Sequence, residues 1–271
     1  MKLQSNSEPL FFKVYPAKNI KEVPILFFIH GFADCGDEFL HLVATLTKFC
    51  SVVLISLPGF GEAPKADEVS PESLLPRFEE TLKLFQGRKI LVGYSMGGRY
   101  ALYTSLFGKY SDFDSLVLVS SSTGIADENG RELRLKEDLK LCQFIEEKTI
   151  NDFVDYWLRL PIFKGLERLS ESEFEIIKKR KAHQEKLVLI QYLKQAGQGV
   201  FPDLSSELKT LQQKLHIVVG ENDAKYCEIG KLLHQKLSNS ELHIFPNTGH
   251  AVHRENPNLF LDVLKSVIEK D

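Results

Sequence analysis

Ile90-Leu91-Val92-Gly93-Tyr94-Ser95-Met96-Gly97-Gly98-Arg99 is the stretch on which the reading of this chain turns. Three apolar residues suited to a buried strand run into a glycine-flanked serine, and the helix-favouring Arg99-Tyr100-Ala101-Leu102 overlaps its end. Strand, sharp turn and helix in that order describe a nucleophile elbow. Its small residues tolerate a strained central residue, whose hydroxyl is then exposed at the start of the helix. Five loosely constrained positions recur by chance, so the flanking strand and helix carry much of the specificity. The plain alternative is a glycine-rich turn with a helix-capping serine.

Outward from the elbow, short β-branched or aromatic runs alternate with longer amphipathic stretches, the pattern of parallel strands joined by helices. Strands are expected at 11–15, 25–29, 52–56, 90–92, 116–119, 215–219 and 241–245, and helices at 37–49, 71–85, 96–107, 226–237 and 256–269. Between the fifth strand and the sixth, about 123–211, there is no strand signal but a dense helical pattern of charges and leucines. Ligands of open α/β sheets gather at the carboxyl ends of the strands, so a helical insertion leaving there is placed to roof the site as a cap. The expected fold class is α/β. It is an α/β-hydrolase fold, a mostly parallel sheet flanked by helices, with residues 1–271 forming one domain that contains the cap.

Composition limits the partners. A formal net charge of -3 leaves no electrostatic footprint for nucleic acid or an anionic membrane, so a diffusible small molecule is the expected partner, with no obligate protein partner implied. Met1 to Glu8 is polar without the basic flank and apolar run of a signal peptide, and no apolar stretch approaches about 18 residues. The protein is read as cytoplasmic. Cys35, Cys50, Cys142 and Cys227 form no Cys-x-x-Cys pair, so no zinc or redox site is suggested and reduced, buried thiols are expected.

A serine hydroxyl is inert at neutral pH unless a base takes its proton, so the elbow requires a histidine held by a carboxylate farther along. Gly220-Glu221-Asn222-Asp223 follows one expected strand and Pro246-Asn247-Thr248-Gly249-His250 the next, giving Ser95, Asp223 and His250 in the order of this fold. Glu221 is the rival acid, nearer the strand, and His253 the rival base. For the oxyanion hole, Met96 N–H is one expected donor and Phe32 N–H, in the turn His30-Gly31-Phe32, the other; His30 is read as structural. The turn at 57–61 faces the same end and is assigned no chemistry. Arg99 lies four residues past the serine and could reach an anion there, or could simply pair on the surface. Trp157 is a pocket wall or core.

Taken together, these segments resemble the 2-succinyl-6-hydroxy-2,4-cyclohexadiene-1-carboxylate synthases of menaquinone biosynthesis, from about Ile25 to the carboxyl end. The carriers are the elbow through Arg99, the acid loop Gly220-Glu221-Asn222-Asp223-Ala224-Lys225-Tyr226 and the histidine loop Gly249-His250-Ala251-Val252-His253-Arg254-Glu255-Asn256-Pro257. Trp157 followed by Pro161-Ile162-Phe163 is similar to the family's cap. The resemblance implies elimination of pyruvate from 2-succinyl-5-enolpyruvyl-6-hydroxy-3-cyclohexene-1-carboxylate, with no cofactor. It also implies substrate contacts at Tyr94, Arg99, Arg134, Trp157 and Arg180, with Arg131 and Lys225 as lesser candidates, because a polycarboxylate calls for converging cations. Two departures stand out: Ser122-Thr123-Gly124-Ile125 where the family has a Ser-Pro-Gly-Leu-like turn, and Phe60 where a histidine is common. The competing readings are a serine carboxylesterase or thioesterase, a carbon-carbon bond hydrolase, and a ligand-sensing protein without turnover.

Overall fold

The computed structural model describes residues 7–18, 23–109 and 113–270, so the polar opening read at Met1 to Glu8 lies outside the described residues up to position 6. Among the described residues seven strands form one sheet: β1 (Phe11–Tyr15), β2 (Ile25–Ile29), β3 (Ser51–Ser56), β4 (Lys89–Tyr94), β5 (Ser115–Val119), β6 (Lys214–Gly220) and β7 (Ser240–Phe245). Their order is β1-β3-β2-β4-β5-β6-β7; β1 runs antiparallel to β3 and every other pair is parallel. Every residue of β2, β4 and β5 is buried, as continuous apolar strands with helices on both faces must be.

The helices are α1 (Leu40–Leu46), α2 (Pro71–Lys83), α3 (Met96–Phe107), α4 (Glu128–Glu147), α5 (Ile150–Leu158), α6 (Glu171–Ala182), α7 (Lys186–Ala196), α8 (Ala224–Lys236), α9 (Val252–Glu255) and α10 (Pro257–Lys270). The single helix expected at 37–49 is divided into a 3₁₀ turn, Gly36–Phe39, and α1, because Phe39 at φ -98, ψ 4 leaves helical geometry. Chain order and spatial order reverse between β2 and β4: from β2 the chain steps outward to β3, then crosses back to β4 on β2's other side. In an open α/β sheet that reversal opens a crevice at the carboxyl ends, where His30-Gly31-Phe32 and Tyr94-Ser95 emerge.

Helices α4 to α7 fill the interval between β5 and β6. Thr149 and Asp152 at the start of α5, and Ser170 and Glu173 at the start of α6, form reciprocal capping boxes that define where these helices begin. At the departure point noted at Ser122 to Ile125, Gly124 sits at φ +100 with the Pro202 carbonyl 2.6 Å from where a Cβ would stand. Leu204 N–H donates to Thr123 O at 2.7 Å, so the outgoing and returning chains of the insertion are tied at one neck. Phe60 is fully buried against His30 and Tyr192, which makes its turn a packing element beneath α7.

Candidate active site

Ser95 stands between β4 and α3 at φ 50, ψ -111, a conformation that costs a non-glycine residue about 1–3 kcal/mol. The surroundings over-determine it. Ser95 N–H donates to Val119 O at 2.8 Å, and Ser121 Oγ donates to Ser95 O at 2.8 Å. Glycine is required two residues on: a Cβ at Gly97 would lie 2.3 Å from Ile29 O, so only glycine lets the first turn of α3 abut β2.

His250 follows β7 and Asp223 follows β6, and the sheet brings both to Ser95. Asp223 Oδ2 is 2.6 Å from His250 Nδ1, and His250 Nε2 is 3.0 Å from Ser95 Oγ. A carboxylate only accepts, so Nδ1 carries the proton and Nε2 presents its lone pair to the serine hydroxyl. The rings of Tyr226, Tyr94 and Phe163 surround the imidazole at 4.7, 5.3 and 5.9 Å, which keeps bulk water from the pair. Neither rival occupies this position. Glu221 is exposed and accepts Asn247 N–H at 3.0 Å, while His253 is fully buried behind Tyr94, 3.6 Å from Glu38, with burial pushing its pKa down.

Phe32 and Met96 both line the space above Ser95. Met96 N–H belongs to the unpaired first turn of α3, and among the described residues Phe32 N–H also meets no protein acceptor. His30 is structural: Leu57 N–H donates to its Nε2 at 3.0 Å, so Nδ1–H faces Gly31 O at 2.8 Å and burial keeps the ring neutral. After Phe32 the chain passes Ala33 at φ 58 and reaches Asp34, which has no exposure.

Asp34 changes the expectation for Arg180. Both Arg180 Nε and Nη2 donate to the Asp34 carboxylate, the latter at 2.9 Å, and Lys181 Nζ joins them at 2.9 Å. Arg180 therefore does not line the cavity; it fastens α6 to the turn that follows Phe32. Burial alone would raise the Asp34 pKa, but Lys181 and Arg180 outweigh it and hold the carboxyl far below the ordinary range. A folded-state pKa so depressed contributes stability that is present above the unfolded value, about 4, and is withdrawn as pH falls below it. Asp34→Asn leaves two buried cations uncompensated, and urea unfolding is expected to show a loss of about 3–5 kcal/mol at neutral pH; a loss under about 1 kcal/mol would contradict the clamp.

The cavity over the triad has a volume of about 620 Å³ and an apolar roof that includes Leu141, Phe144, Trp157 and Phe163. Trp157 packs edge-on against Phe32 at 5.3 Å, so it is a wall, and its buried Nε1 has no acceptor among the described residues. Five cations line this space: Arg99, Arg134, Lys181, Lys225 and the exposed Lys140. Arg134 is paired with buried Asp138 at 2.8 Å, and Lys181 with Asp34. Arg99 differs. It is 4% exposed, donates to Ala196 O at 3.1 Å and lies over the Phe201 ring at 5.1 Å, yet no carboxylate among the described residues pairs with it. Burial lowers its pKa, helped by neighbouring Arg134, and the fields of Tyr226, Tyr100 and Asp138 offset this only in part. Arg131 is not among the lining residues, whereas Lys181, Asp138 and Gln198, which donates to Tyr226 OH at 2.8 Å, are lining residues that sequence reading passed over. Their partners lie far away in the chain, so no local pattern marks them. The four cysteines are free and buried, and burial pushes the Cys35 and Cys50 thiols up to about 12.

Residues 26–263 match the alpha/beta hydrolase family. A Bacillus subtilis (strain 168) protein assigned as 2-succinyl-6-hydroxy-2,4-cyclohexadiene-1-carboxylate synthase is 30% identical over 236 residues, covering 86% of this chain and 85% of that one. The synthase of that name from Enterobacter sp. (strain 638) is 27% identical over 235 residues, 86% of this chain and 87% of its own. Among solved structures, MenH from S. aureus superposes with a TM-score of 0.91 at 27% identity, covering 96% of this chain and 98% of that one. An Exiguobacterium antarcticum esterase, at TM-score 0.83 and 16% identity over 96% of both chains, shares the fold.

Proposed function

The chain belongs to the alpha/beta hydrolase family and, within it, to the 2-succinyl-6-hydroxy-2,4-cyclohexadiene-1-carboxylate synthases, enzymes of menaquinone biosynthesis, and from that premise we propose how its own residues carry out the elimination. The reaction removes pyruvate from 2-succinyl-5-enolpyruvyl-6-hydroxy-3-cyclohexene-1-carboxylate. The acidic carbon is the ring carbon that bears the succinyl ketone. His250, its imidazolium held by Asp223, takes the Ser95 proton, and the Ser95 oxygen takes the proton from that carbon. The electron pair moves onto the ketone oxygen, where Phe32 and Met96 N–H groups receive the negative charge. Collapse of this enolate shifts the ring 3-ene into a 2,4-diene and breaks the ring carbon–oxygen bond. Enolpyruvate leaves and becomes pyruvate on taking up a proton at carbon.

The observation that carries this reading is Arg99, a buried cation without a carboxylate partner among the described residues, one helical turn from Ser95. A neutral ester leaves such a charge uncompensated, whereas a substrate with three carboxylates supplies its counterion. Arg134 and Lys225 at the same cavity support a second carboxylate position, and Trp157 Nε1 and Tyr94 are suited to further polar contacts. Arg180 then acts on the substrate only through α6 and Asp34. We read residues 1–271 as one domain with the cap at about 123–211, a reading supported by one continuous sheet and by the neck at Thr123. The polycarboxylate is the sole partner we infer. Among the described residues no helix is long and apolar enough to cross a membrane. Incubation of the purified chain with the enolpyruvyl substrate is expected to release one pyruvate per substrate, with short-chain esters cleaved far more slowly. Fast ester cleavage without pyruvate release would overturn the assignment.

A further inference from the structure

Away from the reaction cavity, β6 and β7 bring two imidazoles and a carboxylate together. His216 and Glu241 are register partners on these parallel strands and His243 stands two residues along β7, so all three leave the same face of the sheet. Gly230 of α8 packs toward Ile217, Val219 and Leu242, so that face is the one opposite α8. The ligating atoms all lie within 4.8 Å of one another. One oxygen is shared: Glu241 Oε2 is 3.7 Å from His216 Nδ1 and 3.8 Å from His243 Nε2. The two rings are close to parallel, 19° apart with centroids at 5.8 Å.

We propose that His216, Glu241 and His243 form a binding site for a divalent transition ion of the zinc class, separate from the reaction cavity. Zinc bonds of about 2.0–2.2 Å to nitrogen and oxygen in a tetrahedral arrangement separate the ligand atoms by about 3.3–3.5 Å. The two distances to Glu241 thus need to contract by only a few tenths of an ångström and the imidazole nitrogens, within 4.8 Å of each other, by at most about 1.5 Å, which rotation of the partly exposed His243 and Glu241 side chains on a fixed ladder supplies. Two imidazoles and one carboxylate suit zinc, cobalt or nickel, whereas calcium and magnesium require mostly oxygen ligands. Lys214 Nζ holds Glu241 Oε1 at 2.9 Å, which turns Oε2 toward the histidines. The His216 side chain is 2% exposed, His243 24% and Glu241 39%, so an ion enters past the outer two ligands and meets the buried one at the floor.

The site lies four residues back from the carboxyl end of β6, roughly 13 Å from the level of the triad loops. Its role is to cross-link edge strand β7, whose far end leads to His250, to the body of the sheet. Calorimetric titration of Zn²⁺ into the untagged, metal-stripped full chain is expected to show one ion per chain and a higher unfolding temperature. Glu241→Gln and His243→Ala are each expected to weaken binding at least about 30-fold and to remove the thermal shift. Co²⁺ should give visible absorption in the parent and not in His243→Ala, while His183→Ala, on the exposed end of α6, leaves binding unchanged. Both altered side chains are partly exposed, and His243→Asn serves as a second variant that retains a polar group. Absence of saturable binding, or binding and absorption that persist unchanged in the Glu241 and His243 variants, overturns the proposal.

Discussion

Replacement of Ser95 by alanine is expected to lower the rate of pyruvate release by about 10³–10⁴-fold while the dissociation constant of the enolpyruvyl substrate changes by less than about threefold. The hydroxyl is the only atom lost. The hydrogen bonds that hold the elbow run through the Ser95 main chain, to Val119 O and from Ser121 Oγ, so the turn keeps its shape and the Phe32 and Met96 N–H groups, proposed as oxyanion donors, keep their positions. What disappears is the oxygen 3.0 Å from His250 Nε2, the group proposed to take the ring proton. A loss of that size corresponds to about 4–5.5 kcal/mol in the barrier. Single-turnover pyruvate release measured beside calorimetric binding separates the two effects. An alanine variant that keeps more than a tenth of the parent rate would remove Ser95 from the proton transfer.

Arg99→Met is expected to move activity and stability in opposite directions. In the free protein, burial of this guanidinium is offset by Ala196 O, the Phe201 ring and the fields of Tyr226, Tyr100 and Asp138, without a paired carboxylate among the described residues, so an apolar side chain of similar length should leave the unfolding free energy unchanged or raise it by about 1 kcal/mol. With substrate present the balance reverses. A substrate carboxylate deprived of its buried partner loses about 2–5 kcal/mol of interaction, so kcat/KM should fall by about 30- to 5,000-fold. Arg99→Lys keeps the charge but not the fork, and should fall between the two. Urea midpoints and steady-state pyruvate release give both readings on the same preparations. If Arg99→Met lowers stability and activity together, the residue is a packing element and the anion-site reading is wrong.

Much of this site was legible before any tertiary information. Ser95, Asp223 and His250 each follow the carboxyl end of a strand, β4, β6 and β7, and a parallel sheet delivers such positions to one edge, so strand recognition and chain order together pointed to them. The central strands β2, β4 and β5 were legible because burial on both faces demands a largely apolar run, whereas the partly exposed edge strands β1 and β7 are mixed. Where boundaries slipped, as in the helix expected at 37–49, the cause was a single residue, Phe39, whose backbone leaves helical geometry under packing against Phe28 and His253.

The choice between neighbours was decided in three dimensions. Glu221 and Asp223 are both carboxylates after the same strand, and only the path of the 246–250 loop, whose Asn247 N–H engages Glu221, leaves Asp223 for His250. Arg180 and Arg99 likewise look alike as sequence. Arg180 is neutralised by an aspartate 146 residues away, and Arg99 is left without a carboxylate among the described residues. The elbow, the triad order and the layered α/β fold were therefore determined by the sequence alone, because each follows from local conformation and strand periodicity. Which cations remain available to a substrate was decided by the tertiary structure, because charge compensation depends on contacts that no periodicity encodes.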